Sequence, residues 1–122
     1  MLPVTLQHGL LLALLLRMSG YEAHVAYSGT TALQTAVEHR PEAVILDLSL
    51  PEMDGYELGR RLRQHPQMAA VRLIALTGHG QQEDLDRSRA EGFMAHLVKP
   101  VELRQLLDLL ETAAGAGTVA AA

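Results

Sequence analysis

Three short apolar runs, each ending in a different reactive side chain, constrain this chain more than any other feature. Ala43 to Leu46 ends at Asp47, Val71 to Leu76 ends at Thr77, and Met94 to Val98 ends at Lys99. Short aliphatic runs with helical patterns between them read as buried parallel strands of an α/β sheet. In such sheets, ligands collect just beyond the carboxyl ends of the strands. A carboxylate, a hydroxyl and an ammonium therefore converge on one edge, a set able to accept and hold a phosphoryl group.

Composition removes several other classes. The 122 residues fit one domain with a modest core. No cysteine is present, which excludes a disulfide framework and a thiolate metal site. A formal charge of −4 and a single lysine leave no basic footprint for nucleic acid. Arg60, Arg61 and Arg63 cluster on one predicted helix and read as a solvated face. The apolar stretch Leu10 to Leu16 is too short to cross a bilayer and lacks the flanks of a signal peptide, so a cytoplasmic domain without membrane association is expected. Histidines 8, 24, 39, 65 and 79 show no metal-ligand spacing, and no zinc site is expected.

Along the chain, a helix is predicted over about 5–19 with Gly20 as its cap, then a strand over 23–27 and a helix over 30–39 that Arg40-Pro41 stops. The strand ending at Asp47 leads into Leu50-Pro51-Glu52-Met53-Asp54-Gly55, where Asp54 and Gly55 read as turn chemistry. Helices are predicted over about 56–64 and 82–90, with the strand to Thr77 between them and the strand to Val98 after Gly92. Pro100 opens a last helix with Leu103, Leu106, Leu107 and Leu110 on one face. Residues 113–122 read as a flexible, low-complexity tail.

Asp47 in LDLSLPEMDG, Thr77 in IALTG and Lys99-Pro100 in HLVKPV together resemble the receiver domain of bacterial two-component response regulators (CheY-like). Their separations of thirty and twenty-two residues match that family, and ALTGHG with GFMAHLVKPVE looks most like receivers of hybrid sensor kinases. The resemblance covers about residues 10–112. It implies a flavodoxin-like, doubly wound parallel sheet with helices on both faces. It also implies that Asp47 takes a phosphoryl group from phosphohistidine on a sensor histidine kinase or phosphotransfer protein. Thr77 would be the switch hydroxyl and Lys99 the phosphoryl-binding cation. His96 stands at the family's aromatic switch position, Ser49 and His79 at positions that influence phosphoryl lifetime, and Pro100 after an expected cis peptide bond. Beyond accepting the group and losing it again, no enzyme activity is expected.

The start of the chain departs from that pattern. The family's first strand lies centrally in the sheet and ends in an acidic pair that helps hold Mg²⁺. Counting back from Asp47 places the pair among Leu2, Pro3 and Val4, and no carboxylate precedes Glu22. For Mg²⁺ there remain Asp47, the backbone carbonyl near Ser49 and the incoming phosphate. The expectation is a receiver over 1–112 that is incomplete at its N-terminus, with its central strand absent or reduced. Two apolar strand edges would then invite pairing between copies, including a dimer. The alternative is a degenerate receiver that binds partners without phosphorylation. Other classes fit less well: an aspartate phosphatase would want an acid where Ser49 stands, and no glycine-rich dinucleotide turn follows the first strand.

Overall fold

The computed structural model describes residues 12–26, 29–48, 55–78, 82–114 and 118–121. Helical residues 12–18 (α1) are followed by β1 (Glu22–Val25), α2 (Gly29–His39), β2 (Ala43–Asp47) and α3 (Gly55–Gln64). A single 3₁₀ turn over Pro66–Met68 precedes β3 (Arg72–Thr77), α4 (Gln82–Ala90), β4 (Ala95–Val98), α5 (Leu103–Ala114) and β5 (Thr118–Ala121).

Helix ends follow from local chemistry. Gly20 (φ 95°) and Gly92 (φ 86°) adopt the left-handed conformation that closes α1 and α4. At each, the next amide donates back across the last turn: Tyr21 N–H to the Leu16 carbonyl at 3.0 Å, and Phe93 N–H to that of Ser88 at 2.9 Å. Arg40 closes α2 with φ 48° despite its side chain, immediately before Pro41.

All strands pair in parallel, in the order β1-β5-β2-β3-β4. β2 is buried along its whole length because its alternate residues enter two different cores. Val44 and Leu46 join Leu73, Ala75, Leu58, Leu62 and Phe93 on the face covered by α2 and α3. Ala43 and Ile45 join Ile74, Leu76, Leu16, Leu106 and Leu110 on the face covered by α1 and α5. A Cβ at Gly59 would lie 3.1 Å from Leu73 Cδ1, so glycine lets α3 approach β3 closely.

Two expectations need correction. The expected flexible tail from 113 is regular structure at its described residues: α5 continues to Ala114, and Thr118–Ala121 forms β5. The slot between β1 and β2 is not left open, because β5 fills it, pairing at four positions with β1 and at three with β2. The physical reason is that ladder bonds come from the backbone, so a low-complexity segment satisfies two open edges as well as any other. Residues 1–11 lie outside the described part of the chain.

Candidate functional site

Backbone pairing brings the three reactive residues together. Asp47 is in register with Leu76, the neighbour of Thr77, and Thr77 with Val98, the neighbour of Lys99. Past the strand ends, Leu48 N–H donates to the Leu76 carbonyl at 2.7 Å and Lys99 N–H to the Thr77 carbonyl at 2.8 Å. These bonds fix the carboxyl edges of β2, β3 and β4 against one another.

Asp47 and Thr77 are each 7 % exposed, and they are two of the three polar residues in the buried set. Lys99 Nζ donates a charge-assisted hydrogen bond to Asp47 Oδ2. A carboxylate withdrawn from water is costly unless a cation and hydrogen bonds compensate it. The edge thus holds a shielded anion, its counter-cation and a hydroxyl-bearing residue side by side. The Lys99-Pro100 peptide bond is cis.

His96 is half-buried on β4, and its Nδ1 lies 2.8 Å from Ser88 Oγ. Ser88 is almost fully buried and shares a second hydrogen bond with the Tyr56 hydroxyl at 3.2 Å. The Arg87 guanidinium sits 4.0 Å from the centre of the Tyr56 ring. Sequence reasoning missed Tyr56 and Ser88. The available signal was a lone serine among charged residues on the helix that faces the His96 strand. Ser49, Asp54 and His79 lie outside the described residues.

The family's Mg²⁺ can be tested against the donors. Among the described residues, Asp47 brings one carboxylate to this edge, its Oδ2 already engaged by Lys99. No group of three metal-binding side chains gathers around it there. β5, standing where the family's acid-bearing strand belongs, ends in Ala120 and Ala121. Mg²⁺ prefers hard oxygen donors, typically carboxylates with water and phosphate. The donors described here do not fit a protein-held Mg²⁺ site of the family's kind.

Known proteins resemble the chain in sequence and fold. The chain is 31 % identical over 101 residues to the polar-differentiation response regulator DivK of Brucella anthropi, spanning 83 % of this chain and 82 % of that one. Its fold matches the chemotaxis protein CheY4 of Vibrio cholerae with a TM-score of 0.79 and 28 % identity, covering 86 % of this chain and 88 % of that one. It also matches the receiver domain of a sensor histidine kinase from Pseudomonas aeruginosa, described with a magnesium ion in its active-site cleft. That match has a TM-score of 0.70 and 31 % identity over 80 % of each chain. No described helix is long and apolar enough to cross a membrane. The profile of the response regulator receiver domain matches residues 8–111, and the chain therefore belongs to the receiver family of two-component signalling.

Proposed function

We propose that Asp47 is a phosphoacceptor that takes its phosphoryl group from a phosphohistidine on a sensor kinase or histidine phosphotransfer protein in the cytoplasm. The carrying observation is the pairing of buried Asp47 with half-buried Lys99 beside Thr77. A carboxylate oxygen attacks phosphorus and the P–N bond breaks. Its electron pair returns to the donor imidazole, leaving an acyl phosphate on Asp47. Carboxylates are weak nucleophiles, so the step depends on positioning and charge. Lys99 is already in place to move from the carboxylate to the arriving phosphoryl oxygens as a point charge. Thr77 then donates its hydroxyl to another phosphoryl oxygen. That inward pull would be read at β4 and α4 through His96, Ser88 and Tyr56. The motif likeness to hybrid-kinase receivers favours a donor kinase of that kind.

The shortage of carboxylates among the described residues favours a second reading, a receiver that binds partners through the same surface without phosphorylation. Incubation with phosphoramidate or acetyl phosphate, with and without Mg²⁺, followed by intact mass, separates the two. Phosphoacceptor function predicts one added phosphoryl group, lost in Asp47→Asn. Labelling that persists in Asp47→Asn would sink the assignment. A folded wild type that never gains mass would leave the binding module.

A further inference from the structure

Another set of side chains converges at the opposite end of the sheet. Glu22 and His24 are two apart on β1 and share a face. α2 runs back along β1, and its last residue, His39, returns to that end. The His24 and His39 rings stack with centroids 3.6 Å apart and planes 12° apart. One ligand atom from each of Glu22, His24 and His39 lies within 4.8 Å of the other two. Glu22 Oε1 is 3.5 Å from His24 Nε2, and that buried nitrogen makes no hydrogen bond. Leaving a buried polar atom unmet is unfavourable, and here it lies beside the Glu22 carboxylate. Fifteen residues separate the histidines, so short-motif spacing gave no sign of the set. The βα unit assembles it.

We propose that Glu22, His24 and His39 form a binding site for a divalent first-row transition-metal ion of the Zn²⁺ type. Two imidazoles and one carboxylate are a donor set that suits Zn²⁺, Cu²⁺ or Ni²⁺ rather than Mg²⁺. Zinc bonds of about 2.0–2.2 Å place tetrahedral donors about 3.4 Å apart, so the atoms need to close by an ångström or so, and because an imidazole donates in its ring plane the His39 ring must also turn out of its stack on His24. Glu22 and His39 are both exposed and able to turn. Three protein ligands leave the fourth position to water. Strand register places Glu22 roughly 17 Å along the sheet from the Asp47 level, at about 3.3 Å per residue. The site is therefore independent of the phosphoacceptor reading. A bound ion would pin the edge strand β1 to α2.

Zn²⁺ titrated calorimetrically into the untagged chain near neutral pH tests the proposal, alongside thermal unfolding with Zn²⁺ or Mg²⁺. The expected result is one Zn²⁺ per chain and a thermal midpoint raised by Zn²⁺ and not by Mg²⁺. His39→Ala and Glu22→Gln, both at exposed positions that leave folding intact, should each weaken binding at least about tenfold. His65→Ala, which removes an imidazole elsewhere, should leave it unchanged. Absence of stoichiometric binding, or binding that survives both His39→Ala and Glu22→Gln, overturns the site.

Discussion

Deleting residues 118–122 removes β5 and opens a gap between β1 and β2. β5 itself contributes little on balance. About six ladder hydrogen bonds at a net ~1 kcal/mol each are set against ordering four residues at ~1–2 kcal/mol each. The larger effect falls on what remains. Ala43, Val44 and Ile45 pair with Val119, Ala120 and Ala121, and all three β2 residues are buried. Each buried backbone group left without a partner costs about 1–3 kcal/mol. Three such groups give a loss of roughly 3 kcal/mol or more, even after water enters the slot. With a urea slope near 1.5 kcal/mol/M, the midpoint should fall by about 2 M. Exposed edges on β1 and β2 should also drive self-association, read by light scattering at increasing concentration. A truncated chain that stays monomeric and unfolds within about 0.3 M of the intact one would refute this reasoning, since the ladder contribution of about 1 kcal/mol per bond is then absent.

Three other perturbations probe the site and its surroundings. Lys99→Ala strands the Asp47 carboxylate in a shielded position and should cost ~2–4 kcal/mol, whereas Asp47→Asn combined with Lys99→Met should recover much of that loss; urea midpoints for the single and double variants decide it. Ser88→Ala removes the shared partner of Tyr56 and His96 and should cost ~1–3 kcal/mol, with the His96 ring signals shifting in the NMR spectrum; unchanged stability and unchanged signals would show that the network holds nothing. Burial, and secondarily the Glu111 charge, raise the Tyr21 phenol above its ordinary 10.0. The folded state then holds that proton more tightly than the unfolded one. Its contribution is fully present below pH 10.0 and is lost as pH rises through the raised value. Tyr21→Phe should flatten that alkaline decline in denaturation midpoints, and an unchanged decline would assign it to other groups.

The strand ends at Asp47, Thr77 and Lys99 were legible because each follows an apolar run that two cores require. The caps at Gly20 and Gly92 were legible for a similar reason, since only a few residues tolerate positive φ. β5 was not. Its ladder is made by backbone atoms, and Thr118 to Ala121 is only four residues long and half alanine, set in an alanine- and glycine-rich stretch that reads as low complexity. The His24–His39 stack and the Tyr56–Ser88–His96 network were hidden for another reason. Both join residues brought together by packing across elements, and nothing in their local spacing records the partner.

The position of β5 also bears on how the sheet is made. This interior strand comes last among the described elements in chain order, yet it joins β1 to the rest. During synthesis, β2, β3 and β4 with α3 can form their ladders as they emerge, while among the described strands β1 pairs with β5 alone. Glu22 and Thr118 are neighbours in the sheet but ninety-six positions apart in sequence, from 22 to 118. Contacts of such long separation slow folding, because a large loop must close before they stabilise anything. Assembly should therefore have a late step in which one short segment unites two parts of the sheet, and until then the nascent chain carries an unpaired interior edge on which a chaperone or a second nascent chain could act.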